Sequence, residues 1–314
     1  MSDYVFQNAR SKFKELTTLD KTDLEKLLVA EDEKELMQFL SEKKGKEFES
    51  FDQFRESEEL ETFQMLKENP DGKVLRPLVI LEDYKNLRAY VKAKFSNIEV
   101  KEPIQDGLYL RENLRSFVNT LDRTKASSYM YDAVTAIERE KEKDSFKNSD
   151  IDVILDKYMY KEVLSLANRS LKKYFSKYIN LINLNTMVRC KKLNLDAEVY
   201  KYYYLSQSEK GEDPEKIYSK TPEEAYSEIF FGMYDVPNVS GDIFNNEINL
   251  DIFAYKYWAS SKWDYETEKP IFYLYFKRRL ILKIVNLIYS LKKFKESAVL
   301  KKEDIQEVIG YAFS

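Results

Sequence analysis

A seven-residue helical phrase recurs three times in this chain, and it limits the fold more than any other feature. It reads Asn86-Leu87-Arg88-Ala89-Tyr90-Val91-Lys92, then Asn183-Leu184-Asn185-Thr186-Met187-Val188-Arg189, then Asn286-Leu287-Ile288-Tyr289-Ser290-Leu291-Lys292. The shared skeleton is Asn-Leu, three variable residues, Val or Leu, then a base, and the copies start 97 and 103 residues apart. Recurrence on this scale argues for an internally repeated architecture. Three related helical units set around an axis enclose a hollow or a ring, a shape suited to holding a partner.

Each helical residue turns by roughly 100°, so with Asn at zero the positions −2, +1, +4 and +5 fall within an arc of roughly 120°. Those positions hold Tyr84, Leu87, Tyr90 and Val91, then Leu181, Leu184, Met187 and Val188, then Ile284, Leu287, Ser290 and Leu291. The arc predicts a packing seam, with Asn86, Asn183 and Asn286 at its edge, where an amide can bond an adjacent helix and fix register. Lys92, Arg189 and Lys292 point away from the seam, either into solvent or toward whatever the units surround.

With only seven Gly and seven Pro in 314 residues, and no stretch of strand alternation, the chain reads as all-α. Three units are expected, over residues 1–100, 101–195 and 196–314. Residues 4–43 read as two helices, with an apolar stripe of Ala9, Phe13, Leu16 and Leu19 and a capping pair at Thr22 and Glu25. A turn is expected at Asn69-Pro70-Asp71-Gly72, a link over Val100–Gly107, a polar loop over 205–215 and a break over Val236–Gly241. Asp156–Leu193 reads as one long helix or two stacked ones, Thr221-Pro222-Glu223-Glu224 as a helix start, and Pro270–Lys295 as a final long helix.

The chain contains no histidine and one cysteine, Cys190. That composition removes Ser-His-Asp and Cys-His catalysis, His-ligated zinc or haem, and any intrachain disulfide. Lys43-Lys44-Gly45-Lys46 lacks the earlier Gly and the following Ser or Thr of a phosphate loop. No cofactor, no metal and no direct small-molecule substrate are expected. A net charge of −4 gives no global drive toward nucleic acid, and Tyr200 with Tyr202-Tyr203-Tyr204 lacks the basic interleaving of a base-stacking platform, so no nucleic acid is expected. Ile271–Leu291, the most apolar stretch, is broken by Lys277, Arg278, Arg279 and Lys283, which a membrane-spanning helix would not tolerate at its centre. Residues 1–10 lack the pattern of a secretory signal, so a reducing cytosol is expected.

Charge is unevenly placed: residues 31–68 hold 13 acids against 6 bases, and 269–302 hold 10 bases against one acid, Glu296. The two segments either dock partners of opposite charge or are solvated helix faces. Lys277, Arg278 and Arg279 face acidic headgroups or snorkel from a core helix, and Glu58, Glu59 and Glu61 read as a solvated face.

The second phrase in its setting, Tyr178-Ile179-Asn180-Leu181-Ile182-Asn183-Leu184-Asn185-Thr186-Met187-Val188-Arg189-Cys190-Lys191-Lys192-Leu193, resembles the signature of the C-type subunit of bacterial and archaeal V/A-type rotary ATPases, the counterpart of the d-type subunit of the eukaryotic V-ATPase. Asn8-Ala9-Arg10 with Leu24, Leu27 and Leu28 resembles that family's N-terminus. Leu81-Glu82-Asp83-Tyr84-Lys85-Asn86-Leu87 and Pro270-Ile271-Phe272-Tyr273 through Lys293 resemble its first and third repeats. The resemblance covers the whole chain and implies a non-catalytic, funnel-like assembly of three helical repeats with pseudo-threefold symmetry. It also implies a peripheral location on the cytoplasmic face of the membrane, with central stalk subunits of the D/F type and the membrane proteolipid ring as partners. Torque passes between them in ATP-driven ion transport or ATP synthesis. One departure is Arg279-Leu280-Ile281-Leu282, where the third repeat usually carries a Glu, so contacts assigned to that acid do not carry over. The alternative is a free-standing helical-repeat scaffold binding cytosolic proteins. Lys92, Arg189, Lys292, Lys277, Arg278 and Arg279 are the candidate partner-binding residues.

Overall fold

A computed structural model describes residues 3–68, 72–96, 105–207, 213–230, 243–294 and 301–314. The all-α expectation holds, with no strand among the described residues. The expected features at 69–71, 100–104, 208–212 and 236–241 lie outside them. The chain divides into two compact units, Met1–Pro70 with Asp251–Ser314, and Asp71–Leu250.

The first unit holds α1 (Asp3–Leu16), α2 (Lys21–Val29), α3 (Glu33–Lys44), α4 (Phe51–Lys67), α14 (Lys269–Phe294) and α15 (Lys302–Ala312), and the unit boundary falls within α13 (Ile243–Ala259). Helix α14 is the centre of this unit and contacts α1, α2, α3, α4 and α15. Its sequence explains that place, since Pro270 through Phe276 are buried without a break, and a helix apolar on all sides must be surrounded.

Three helices replace the two expected over residues 4–43. Ala30 leaves the helical conformation (ψ 141°) after α2, and Asp32 caps α3 by accepting from the Glu35 N–H at 2.9 Å. The capping pair at the start of α2 is Asp20 with Asp23, not Thr22 with Glu25. The Asp23 N–H donates to Asp20 at 2.9 Å and the Asp20 N–H to Asp23 at 3.0 Å, an arrangement that favours a short carboxylate over threonine. On α1 the expected apolar stripe is turned outward, and of its residues only Leu19, past the helix end, is buried. The opposite, polar face is anchored instead. Buried Asn8 donates through Nδ2 to the carbonyls of Tyr265 (2.9 Å) and Thr267 (3.0 Å), and Glu15 accepts from Lys277 (2.8 Å) and Tyr273 (3.0 Å).

The second unit holds α5 (Gly72–Ser96), α6 (Arg111–Thr120), α7 (Ser128–Lys141), α8 (Asn148–Leu166), α9 (Arg169–Lys192), α10 (Ala197–Tyr203), α11 (Pro214–Tyr218) and α12 (Pro222–Ile229). Helix α8 packs on α5, α7 and α9, and α9 also packs on α10 and α12. The span from 156 to 193 is two helices, because Ala167 is extended and Asn168 restarts the helix, accepting from the Leu171 N–H at 2.9 Å. Thr221 and Glu224 cap α12 reciprocally, with Pro222 in its first turn as its chemistry demands.

Candidate partner-binding residues and a repeated asparagine latch

The first two copies of the phrase do the same mechanical job. In α5 the buried Asn86 donates through Nδ2 to the carbonyl of Gln105 at 2.9 Å. In α9 the buried Asn183 donates to the carbonyl of Leu205 at 3.0 Å and accepts from the Leu205 N–H at 2.9 Å. Each asparagine thus holds the non-helical segment 19 or 22 residues downstream, not the adjacent helix that the sequence led us to expect. One turn earlier on each helix a second polar residue grips the same segment. Asp83 accepts from the N–H groups of Leu108 (2.7 Å) and Tyr109 (3.1 Å), and Asn180 accepts from the side chain of Gln207, which also donates to the Ser176 carbonyl at 2.9 Å. The working motif is therefore Asp/Asn-x-x-Asn-Leu, a latch in which the side chains bond the segment that follows, mostly through its backbone.

The third copy departs from this pattern. Asn286 is half-buried, and the residue three before it is Lys283. Tyr84, Leu87 and Val91 are buried with Tyr90 half-buried, and all four seam residues of the second copy are buried. In the third copy only Ile284 is buried; Leu287 and Leu291 are half-buried and Ser290 is exposed. The buried residues there are Ile281, Ile284, Val285 and Ile288, so α14 packs through a face rotated from the expected one. Asn8, gripping carbonyls at 265 and 267, is the buried asparagine that works comparably in the first unit.

The six candidate basic residues divide by what they touch. Lys92 meets Asp152 at 2.8 Å, beside Arg88, which bonds Asp152 at 3.1 Å and also Asp156. Lys292 donates to the carbonyls of Leu28 (2.8 Å) and Ala30 (2.5 Å), capping the C-terminal end of α2, where a cation is favoured. Burial and nearby Lys302 hold its ammonium below the usual lysine range. Lys292→Met, which keeps the stem and removes the charge, is expected to destabilise the first unit by about 1 kcal/mol, seen as a lowered thermal midpoint. An unchanged midpoint would show that water replaces the ammonium without loss.

Lys277 reaches Glu15. Burial pushes that carboxyl up, but hydrogen bonds from Lys12 and Lys277 outweigh it and hold the group down at about 2. Arg278 is buried and bonds Glu58 (3.2 Å) and Glu61 (2.7 Å), and Lys44 lies on the other side of Glu58. Glu58 is buried among them, which corrects its reading as part of a solvated face. The charge asymmetry has the same explanation. Bases of α14 are met by acids of α1 and α4, and Tyr289 donates to Glu33 of α3 at 2.6 Å, so much of the complementarity lies within one unit. Arg189 and Arg279 are exposed, the latter with Nη1 3.3 Å from the Tyr275 hydroxyl.

Tyr200 and Tyr204 are buried, with Tyr200 stacked on Tyr218 at 5.1 Å, and Tyr202 donates to Asp150 at 2.9 Å. Cys190 is buried, and burial pushes its thiol up, away from reactivity. Beside the second latch lies a cavity of about 240 Å³, lined by Asn180, Asn183, Leu184, Tyr200 and Tyr204 and by the Lys220 and Glu228 ion pair. Among the described residues no cluster of acids or thiols could hold a metal ion, and no helix is long and apolar enough to cross a membrane.

No curated protein matches the chain. A family model for the ATP synthase (C/AC39) subunit matches residues 7–210, a span that holds both latches and stops before the divergent third phrase. With the match covering more than half of its length, the chain belongs to the ATP synthase (C/AC39) subunit family, a non-catalytic, peripheral component of V/A-type rotary ATPases.

Proposed function

We propose that this chain is the rotor adaptor of a V/A-type ATPase, joining central stalk subunits of the D/F type to the membrane proteolipid ring on the cytoplasmic face. The observation that supports the reading most is the family match over 7–210, within which two buried latches repeat on one pattern. An adaptor that passes torque needs helices tied stiffly to the segments between them, and polar ties at buried and half-buried positions supply them. The three-repeat division at 1–100, 101–195 and 196–314, with a funnel around a pseudo-threefold axis, belongs to the same proposal.

Among the six basic residues, Arg189 and Arg279 are the exposed ones. A partner taking Lys92, Lys277, Arg278 or Lys292 would compete with Asp152, Glu15, Glu58 or the carbonyls of α2. Pull-down of the tagged chain from native membranes is expected to recover a proteolipid ring and stalk subunits. Recovery of cytosolic proteins without either would favour the free-standing scaffold. Arg189→Ala combined with Arg279→Ala should leave the helical content unchanged and weaken that recovery about tenfold, equivalent to ~1.4 kcal/mol.

A further inference from the structure

Helix α1 carries its apolar residues on the outside. Phe6, Phe13 and Leu16 are 71%, 69% and 79% exposed, and Ala9, also exposed, lies between them. Four such residues on a 14-residue helix whose opposite face is polar and anchored make a patch that a monomer rarely leaves in water. Their numbers, 6, 9, 13 and 16, advance by three, four and three, the spacing of a seam that packs along one other helix. On the helical wheel the seam spans roughly 80°, with Lys12 beside one edge and Arg10 and Lys14 beyond the other.

The edges set the charge of whatever covers the seam. Glu15 lies between Lys12 (2.5 Å) and Lys277 (2.8 Å), and Glu68 lies between Arg10 (2.8 Å) and Lys14 (2.8 Å). Each acid is therefore bracketed by two bases, and each edge keeps one net positive charge. Lys12 also sits 4.1 Å over the ring of exposed Trp263, which continues the apolar surface past the seam. A bilayer surface fits less well, because the seam is a single file, narrower than the broad apolar face of interfacial helices, and Glu68 would face the headgroups.

We propose that the exposed seam of α1 docks one helix of a partner protein that carries its own apolar a/d seam between acidic edges. The inference rests on the reading of the chain as one component of a larger complex, and its test involves neither ring nor stalk, so the two can fail separately. A fluorescent three-heptad peptide with Leu at a and d and Glu at e and g serves as the probe, with a twin carrying Lys at e and g. Anisotropy with the full chain should show saturable binding of the Glu peptide, at least about tenfold tighter than the Lys twin and weakened in ~0.5 M salt. The combined F6S/F13S/L16S variant, altered only at exposed positions, should retain the helical fold and lose the binding. Equal binding of both peptides, binding of neither, or binding unchanged in the variant would overturn the proposal. So would a wild-type chain that ignores the peptide but self-associates through these residues, or that adheres to phosphatidylglycerol vesicles instead.

Discussion

Replacing Arg278 with methionine is expected to destabilise the first unit by about 3 kcal/mol, among the largest effects of any single change in this chain. The guanidinium is almost wholly enclosed, and it bonds Glu58, itself buried, together with the half-exposed Glu61. Methionine fills most of the volume, so little of the loss comes from a cavity. The loss comes from Glu58, left with Lys44 as its close cation in surroundings too dry to solvate the remainder of its charge. Glu61 suffers less because its side chain is 48% exposed and water can replace the lost bond. Burial pushes the Glu61 carboxyl up, but the bond from Arg278 and the nearby Lys44 hold it below its ordinary value. Adding Glu58→Gln to Arg278→Met should recover little of the stability, since it removes one enclosed charge but takes from Lys44, itself enclosed, its carboxylate partner. Thermal and urea unfolding of wild type, single and double variants check this. A single variant within about 0.5 kcal/mol of wild type would mean that the network contributes nothing net.

Why the sequence hides this network is a matter of range. Around Glu58 the local pattern, Glu56-Ser57-Glu58-Glu59-Leu60-Glu61, is that of a water-facing helix. Its burial depends on α14 arriving from 220 residues away, and no local period carries that information. Helix α1 misleads for the converse reason. Phe13, Leu16 and Leu19 have core spacing, but Asn8 and Glu15 are tied to distant groups at 265, 267, 273 and 277, and those ties decide which face turns inward. Where the signal is local, it is legible. The scarcity of Gly and Pro predicts helices, the Thr221-Pro222 start of α12 falls where its residues place it, and α14 spans Lys269–Phe294 against an expected 270–295.

The latch falls between these cases. Asp83 with Asn86, and Asn180 with Asn183, are visible in the sequence as polar pairs one turn apart beside the seam residues. Their targets are not, because the segments at 105–109 and 205–207 have no periodicity to announce them. A polar pair inside a seam is thus a better pointer to a buried backbone contact than to a ligand. The basic residues that end each phrase are the more conspicuous feature, yet Lys92 and Lys292 serve contacts within their own units.

Opening of the segment held by Asp83 is expected to become easier as pH rises from about 4 to about 7, by up to about tenfold per pH unit. Asp83 is fully buried, and burial pushes its carboxyl up to about 7 from an ordinary 3.8, against the pull of the Leu108 and Tyr109 N–H groups, with Glu162 and Glu82 adding like charge. Glu162 is itself raised by burial, although Ser127 (2.8 Å) and Tyr84 (2.9 Å) donate to it and Arg76 lies near. The closed state therefore holds a proton more tightly than an open state in which the carboxylate is hydrated. Below about 4 both states are protonated and pH has no leverage; above about 7 both are ionised and the closed state bears the whole penalty. Amide exchange at Leu108 and Tyr109, corrected for intrinsic base catalysis, should show the opening constant climbing through that window and levelling above it. In Asp83→Asn the climb should vanish. Glu162→Gln should move the upper end of the window to lower pH, because one buried like charge is gone. Gly107→Ala tests the geometry independently of charge: a Cβ there would lie 2.3 Å from the Asp83 carboxylate, so the side chain must give up its two N–H donors. That variant should open the segment at every pH, by two orders of magnitude or about 3 kcal/mol. Exchange that follows intrinsic chemistry alone in wild type, or a pH dependence that survives in Asp83→Asn, would assign the titration to another group.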